Sequence, residues 1–401
     1  MQKYLQLKMK LFIIISLTFY SLLANEPLQK VELLPVMKEF KQSIDEDPVV
    51  RMYLNQMIEQ VSSYYKHHPE PNIYIKDIDQ MLYLINDALR MAPEYNKSDL
   101  VGCRINSILN WTMNVPAGYA VFRNKRMNEM FRKVLADYTI YLNSKASLSS
   151  LNSGVNGWKS EAAKKKLNMK QYQYDPKDKY WGFKSWNDFF TRKFKDGMRP
   201  IAKPNDTKTI VSACDSEVYA IKHNVKKSDR FWIKEQPYSL KDMLNNDKLA
   251  DKFVGGDVYQ AFLSAFKYHR WHSPVSGVIK KAYIKQGTYY SGLESVGVDP
   301  ASPDYSQAYL SHVATRAIIY IEADDPIGLM VVMPVGMAEI SSCVINEKIK
   351  PGYRVKKGEE LGYFQFGGST YCLIFKPDVI KSFNVKKGME VKMGEAIGVA
   401  K

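Results

Sequence analysis

RVKKGEELGYF, residues 354–364, is followed near the C-terminus by a second segment of the same design, EVKMGEAIGVA, residues 390–400. Both segments place Val-Lys-x-Gly-Glu-x-aliphatic-Gly in register, and their glycines fit the turn positions of β-hairpins. Short apolar runs rich in β-branched residues surround them: VYAI (218–221), AIIYI (317–321) and LMVVMPV (329–335). Glycine and proline separate these runs, as is typical of strands. The second half of the chain is therefore predicted to be mostly β.

The first half has a different apolar spacing. Between about residues 28 and 145, apolar side chains recur at helical intervals, as in Leu54, Met57 and Val61. The stretch after it is rich in Ser, Asn, Gly and Lys with little periodicity, which is typical of a linker. We therefore predict an α+β protein with a helical domain over 25–145, a linker over 146–180 and a mostly β domain over 181–401.

The repeated hairpins allow a non-enzymatic interpretation. Paired hairpins of this kind are familiar from biotinyl and lipoyl carrier domains, in which a lysine carries a prosthetic group. Lys392 would be that lysine here, but its surroundings, VKMG, differ from the M-K-M of a biotinyl site. The β domain is thus expected to contain biotinyl/lipoyl-like hairpins without acting as a carrier.

The N-terminus and the charge balance both bear on location. Lys3, Lys8 and Lys10 precede an apolar run from 11 to 24, so residues 1–24 are predicted to be a signal peptide or signal anchor of an exported or membrane-associated protein. The formal net charge is +15, which favours an anionic membrane surface as partner. The sequence contains no zinc-finger or RNA-binding signature, so nucleic acid is not expected. Four cysteines are too few for a disulfide framework, and their pairing stays open.

The segment FGGSTY, residues 366–371, raises a chemical question. Gly367 and Gly368 stand directly before Ser369 and leave its backbone accessible to close approach. One interpretation is a β-turn, and a second is the nucleophile of a serine hydrolase. Tyr371 stands where the G-x-S-x-G elbow needs its second glycine, which weakens the second. A third interpretation is a serine that attacks its own chain at the Gly368 carbonyl.

Two histidines offer acid-base chemistry. His269 and His272 lie in KYHRWHSP, residues 267–274. Pro274 follows at once and no Cys, Asp or Glu completes a ligand set, so no metal site is predicted. Asp215 ends an apolar run in SACDSEV and would be a turn residue if considered alone.

Taken together, these segments resemble a known family. The residues in question are FGGST, YHRWHSP, the run that ends at Asp215, and FFTRKFKDGMRPI at 189–201. They resemble the phosphatidylserine decarboxylases, pyruvoyl enzymes that mature by cutting themselves, over roughly 181–401. The helical first half is more similar to a branch of the family that includes fungal tryptophan decarboxylases. Two segments of the second half, TRAIIYIEADDPIGLM (315–330) and VGMAEISSC (335–343), share this similarity.

The resemblance implies a role for each candidate residue. Asp215 would orient His272, which would take the proton of Ser369 so that its oxygen attacks the Gly368 carbonyl. Cleavage between 368 and 369 would turn Ser369 into a pyruvoyl group and give a large and a small subunit. That self-made cofactor would form a Schiff base with an amino substrate and accept electrons as carbon dioxide leaves. His269 would protonate the product carbanion or position the substrate.

The resemblance also implies the substrate class. It favours phosphatidylserine, converted to phosphatidylethanolamine at a membrane, with a free aromatic L-amino acid such as tryptophan as the alternative. Many phosphatidylserine enzymes have Asn-Glu-Arg ahead of the strand that begins here at Thr315-Arg316, which leaves headgroup recognition open. An uncut serine hydrolase using Ser369, His272 and Asp215, an inert binding protein, and a homodimer also stay open.

Overall fold

The computed structural model describes residues 31–64, 75–96, 103–233, 235–264, 266–293, 306–339 and 343–401. The predicted leader, residues 1–24, lies outside these ranges. Within them, no helix combines the length and the apolar character needed to cross a membrane. The described chain divides into a helical unit within 31–166, joined by 184–186 and 290–293, and a sheet-rich unit formed by 167–183, 187–289 and 306–401. This is the predicted α+β class.

The helical unit confirms the apolar spacing of the first half. Its helices are α1 (Pro35–Asp45), α2 (Pro48–Tyr64), α3 (Ile78–Ala88), α4 (Arg104–Met113), α5 (Pro116–Val121), α6 (Lys125–Leu142) and α7 (Glu161–Leu167). Leu54, Met57 and Val61 form a buried stripe on α2 because residues three and four apart share one helix face. The Asn124 side chain begins α6 by accepting from the Met127 N–H.

The segment predicted as a linker, 146–180, is folded. It contains 3-10 turns at Lys145–Ser150 and Met169–Gln171 as well as α7. Trp158 is only 2% exposed, and its indole N–H donates to the Pro93 carbonyl at 2.8 Å. A few large apolar residues anchor this stretch, and their irregular spacing explains why periodicity did not reveal it.

The sheet-rich unit confirms the predicted strands. Its strands are β1 (Thr209–Val211), β2 (Ser216–Lys222), β3 (Asp257–Leu263), β4 (Arg270–His272), β5 (Gly277–Lys285), β6 (Arg316–Ala323), β7 (Gly328–Gly336), β8 (Cys343–Ile345), β9 (Arg354–Val355), β10 (Glu360–Phe364), β11 (Ser369–Phe375), β12 (Ile380–Phe383), β13 (Glu390–Val391) and β14 (Ala396–Ala400). Three short helices accompany them: α8 (Trp186–Phe190), α9 (Leu240–Met243) and α10 (Gln307–Val313), with a 3-10 turn at Lys248–Phe253.

One antiparallel sheet organises this unit. Eight strands run in the order β13-β2-β3-β11-β7-β6-β5-β9, and two three-stranded sheets, β1-β14-β12 and β4-β10-β8, complete it. Every residue of β11 is buried, because the strand lies between β3 and β7 and is covered on both faces. The four cysteines of the chain are buried free thiols.

The two repeated segments fold alike. In each turn a lysine N–H donates to the carboxylate three residues later, at 2.9 Å in both cases: Lys356 to Glu359 and Lys392 to Glu395. A glycine with positive φ lies in each turn, Gly358 at 79° and Gly394 at 87°. Each of these glycines also donates its N–H to a serine carbonyl, Gly358 to Ser273 and Gly394 to Ser212. The sequence repeat is therefore a structural repeat.

Reciprocal hydrogen bonds join the segments around Ser212 and Ser273, to which the two repeated turns are bonded. The Val211 N–H donates to the Pro274 carbonyl at 3.1 Å, and the His272 N–H donates to the Ala213 carbonyl at 2.9 Å. This exchange of hydrogen bonds joins the two segments in both directions. It brings the backbone of His272 against the segment that leads directly into Asp215.

Candidate active site

Ser369 occupies the first position of the central strand β11. It pairs with Leu263 on β3 and with Gly336 on β7, and it is fully buried. Its hydroxyl oxygen has no hydrogen-bond partner among the residues that the structure describes. A buried hydroxyl in this state is unusual, because buried polar groups are nearly always paired. The Ser369 hydroxyl is therefore uncommitted in the uncleaved chain.

The peptide before Ser369 is held by the turn after β7. The Met337 N–H donates to the Gly368 carbonyl oxygen at 2.9 Å, and the Gly368 N–H donates to the Ala338 carbonyl at 2.9 Å. A Cβ built on Gly368 would meet no atom closer than 3.9 Å, so there is free space beside its Cα. A fixed N–H on a carbonyl oxygen stabilises the negative charge that develops during attack at that carbon. Sequence reasoning missed Met337, because a backbone donor leaves no side-chain signature.

His272 is held at both ring nitrogens. Its Nδ1 lies 2.9 Å from the Gly358 carbonyl oxygen, and its Nε2 lies 3.0 Å from the Tyr268 hydroxyl. Since a carbonyl can only accept, Nδ1 carries the proton and Nε2 offers a lone pair to the Tyr268 O–H. Burial lowers the pKa of His272, and the Gly358 hydrogen bond and the nearby Glu360 charge oppose this effect. His272 is thus a neutral imidazole whose basic nitrogen faces a phenol.

Tyr268 was not predicted from the sequence. Its ring packs 4.1 Å from Phe194 and its pKa is raised by burial, so its hydroxyl stays protonated and donates to His272. In sequence terms it is one more aromatic residue ahead of a strand, which cannot be distinguished from a core residue. The structure gives it a polar contact with the proposed base.

His269 lies in an aromatic setting. Its ring is fully buried, and Phe190 stacks on it at 3.9 Å while packing edge-on against Phe366 at 5.4 Å. Neither ring nitrogen has a hydrogen bond of ordinary geometry within the described chain. Burial lowers the pKa of His269 to about 3, the Arg192 charge adds to this, and a polar contact with the Lys267 backbone opposes it only in part. His269 is therefore neutral, with unpaired nitrogens available to a bound group.

Asp215 has partners other than His272. Arg199 donates from Nε to one carboxylate oxygen at 2.8 Å and from Nη2 to the other at 2.5 Å. The Met393 N–H donates to the first oxygen at 2.8 Å. The direct contact between Asp215 and His272 that the family resemblance implies is not formed in the uncleaved chain. The hydrogen bond from the His272 N–H to the Ala213 carbonyl brings the two backbone segments together, whereas the Asp215 carboxylate is paired with Arg199.

The candidate residues thus fall into two groups. Tyr268 links directly to His272, whereas Ser369, His269 and Asp215 make no hydrogen bond to His272 or to each other within the described chain. Their grouping around one reaction centre stays a prediction from the family. No cluster of three or more metal-ligating side chains lies in the described part of the chain.

Comparison with known proteins decides the family. A family model described as phosphatidylserine decarboxylase matches residues 186–399, which contain all four predicted site residues. The chain belongs to the phosphatidylserine decarboxylase family. A second model of the same description matches residues 34–167, so the helical unit is also a family feature. The protein is accordingly a decarboxylase, a carboxy-lyase.

Its relatives within the family differ in substrate. The chain is 39% identical to decarboxylase iboD of Amanita muscaria over 74% of this chain and 91% of that protein. It is 32% identical to L-tryptophan decarboxylase of Psilocybe cubensis over 92% of this chain and 87% of that protein. A phosphatidylserine decarboxylase proenzyme of Clostridium botulinum is 30% identical over 73% of this chain and 92% of that protein. These matches support the predicted family and its tryptophan decarboxylase-like branch.

Proposed function

We propose that this family member is a pyruvoyl-dependent decarboxylase of a free L-amino acid, with its pyruvoyl group made from Ser369. The observation that carries the self-cleavage is the buried, unpaired Ser369 hydroxyl beside a carbonyl whose oxygen already accepts the Met337 N–H. A serine in this position has no structural hydrogen bond to lose when it attacks the chain.

Self-cleavage uses only groups of the chain and one water. The Ser369 oxygen bonds to the Gly368 carbonyl carbon as its proton passes to Nε2 of His272, from which Tyr268 withdraws. The Met337 N–H stabilises the oxyanion. The C–N bond then breaks, and His272 returns the proton to the nitrogen, which leaves an ester. Loss of the Ser369 α-proton expels residues 1–368 as a carboxylate and leaves a dehydroalanine at position 369. Transfer of a proton from its nitrogen to the methylene carbon gives an imine, which water hydrolyses to a ketone and ammonia.

The surroundings of Ser369 fit the pyruvoyl group. The site is buried, and the Ser369 hydroxyl makes no hydrogen bond in the described chain that would be lost when the residue becomes a pyruvoyl group. Such a group supplies an electrophilic carbonyl that binds an amine and accepts the electrons released with carbon dioxide. Phe190 and Phe366 exclude water near His269, whose free nitrogens can hydrogen-bond a polar group of the substrate.

The relatives support a free amino acid as substrate. The L-tryptophan decarboxylases match 92% of the chain and therefore include the helical unit, whereas the Clostridium proenzymes match 73%. Arg316, in the segment that departs from Asn-Glu-Arg, is buried and donates to the backbone carbonyls of Asp242, Met243 and Ala314. Its guanidinium is thereby committed to the fold, which disfavours a role in binding a lipid phosphate.

Phosphatidylserine is the second candidate substrate. The family description and the bacterial proenzymes favour it, and the net charge of +15 suits an anionic bilayer. The predicted leader would deliver the enzyme to such a surface. A lipid substrate would also require the active chain to bind vesicles.

The test of self-cleavage is the covalent state of the purified protein. Intact mass is expected to show residues 369–401 as a separate chain with a blocked N-terminus that reacts with hydroxylamine. Ser369→Ala is expected to remain one chain without activity. Ser382→Ala, an exposed serine in the same C-terminal segment, is the matched control and should cleave normally. An active, uncut Ser369→Ala protein would refute the proposal.

The substrate is tested by carbon dioxide release from the cleaved enzyme. A panel of free L-amino acids, with aromatic members included, is compared with phosphatidylserine in vesicles. Turnover of a free amino acid without activity on vesicles supports the first candidate. Turnover of the lipid alone replaces it with the second.

A further inference from the structure

We propose that Glu360 is a positioning residue for His272, whose carboxylate stabilises the imidazolium that forms while Ser369 attacks the chain. This inference rests on the proposed self-cleavage. It assigns a second acidic residue to a site in which family resemblance implies only Asp215.

Strand register places Glu360 beside His272. The two residues are directly opposite each other in the antiparallel pair β10–β4. Directly opposed side chains lie on the same face with Cβ atoms about 4.5–5.5 Å apart. The acceptor of the His272 Nδ1–H, the Gly358 carbonyl, belongs to the same hairpin two residues earlier. One short segment therefore supplies both the hydrogen bond that sets the tautomer and a carboxylate on the same side.

A register irregularity lies directly after Glu360 in the strand. The register shifts between Glu360 and Gly362, and Leu361 between them is fully buried. Since neighbouring side chains of a strand point to opposite faces, the burial of Leu361 on one face agrees with Glu360 lying on the other, beside His272. Bulges redirect side chains and are frequent beside active sites.

The Glu360 carboxylate is held but not fully used. Arg270 Nη1 donates to Oε1 at 2.8 Å and Asn346 Nδ2 donates to the same oxygen at 3.1 Å. Oε2 has no hydrogen bond in the described chain. The side chain is 23% exposed, so its charge is only partly screened by solvent. Both Asp215 oxygens, in contrast, are taken by Arg199 and the Met393 N–H.

Four charged or titratable groups face His272. Glu360 and Asp215 raise its pKa, with Glu360 the stronger of the two, and Arg270 lowers it. Tyr268 donates to Nε2 as a neutral phenol. When the proton of Ser369 reaches Nε2, the new positive charge lies near one carboxylate that has an uncommitted oxygen. The Glu360 carboxylate stabilises the His272 imidazolium until the proton moves on to the leaving amide nitrogen.

The experiment follows the rate of self-cleavage of newly made protein against pH. Chains are pulse-labelled in cell-free translation, synthesis is stopped, and conversion to the two fragments is followed by electrophoresis between pH 5 and 9. Glu360→Gln keeps the acceptor for Arg270 and Asn346 but removes the charge. We expect the plateau rate to fall about tenfold and the acid limb to move to lower pH by about one unit, because the base is weaker and loses its proton more easily.

A matched variant and a folding check complete the design. Glu359→Gln removes the same charge from the adjacent residue, which pairs with Lys348 and Tyr353 and accepts from the Lys356 N–H. Glutamine keeps an amide oxygen that can accept from Lys356 and hold the turn, so this variant should keep the wild-type profile. Melting of Glu360→Gln in the Ser369→Ala background shows whether the fold is intact. A wild-type rate and pH profile for Glu360→Gln, or an equal change in Glu359→Gln, would overturn the inference. A wild-type chain that never cleaves would instead refute the proposed function.

Discussion

The ion pair between Asp215 and Arg199 predicts that Asp215→Asn destabilises the fold as well as any chemistry. The side chains of the pair are only 12% and 9% exposed, and Arg199 makes two hydrogen bonds to the carboxylate. Asparagine keeps one acceptor for the Met393 N–H but leaves the guanidinium without its counter-charge. Removing one partner of a buried pair costs about 3–5 kcal/mol. For a unit of this size that lowers Tm by roughly 6–20 °C.

The assay is thermal unfolding of uncleaved protein, so that processing does not alter the comparison. Asp215→Asn is measured in the Ser369→Ala background and compared with Ser369→Ala alone. The double replacement Arg199→Met with Asp215→Asn removes both charges, keeps the acceptor for the Met393 N–H, and should recover most of the loss, since an uncharged pair often substitutes for a buried ion pair. A loss below about 1 kcal/mol for Asp215→Asn, or no recovery in the double variant, would show that the pair does not stabilise the fold as argued.

Three further changes test the surroundings of the site. Met337→Pro removes the N–H that donates to the scissile carbonyl and should slow self-cleavage about 10²–10³-fold. Met337→Ala keeps that N–H and should cleave normally, so equal rates for the two variants would exclude the donor role. His269 has a pKa of about 3 when folded and 6.5 when unfolded, so the free energy of unfolding falls as pH drops from 6.5 toward 3. His269→Gln should reduce the slope of that free energy against pH, measured by urea titration, by up to about 1.4 kcal/mol per pH unit. Gly358→Ala should destabilise the fold by about 1–3 kcal/mol more than Gly388→Ala. Both glycines have φ near 80°, but only a Cβ at 358 meets a side chain, that of Ile201 at 2.4 Å. Equal melting temperatures for the two variants would contradict this.

The strands and the repeat were predictable because the patterns that indicate them lie within short stretches of sequence. Alternating and continuous apolar runs gave β2, β6 and β7, and the recurring Val-Lys-x-Gly-Glu pattern gave the two equivalent turns. The folded stretch at 146–180 was not predictable, since Trp158 is buried against a carbonyl 65 residues earlier in the chain. Local periodicity contains no information about a contact of that kind.

The candidate site was predictable only in its residue types. Ser369, His269, His272 and Asp215 were chosen from their neighbours in sequence, and their joint role stays a prediction. Their partners come from distant segments: Gly358 for His272 and Arg199 for Asp215. The Met337 donor is a backbone group, which any residue except proline would supply. Sequence can name reactive side chains, whereas the groups that tune them depend on tertiary structure.

The central position of β11 has a consequence for the cut protein. If the bond before Ser369 breaks, the 33-residue product still contributes β11 between β3 and β7, together with β12 to β14. Departure of that peptide would expose two long unpaired strand edges and the apolar residues beneath them. The mature enzyme would then be a non-covalent heterodimer whose small partner dissociates only on unfolding, so that its reassembly after heating would depend on protein concentration.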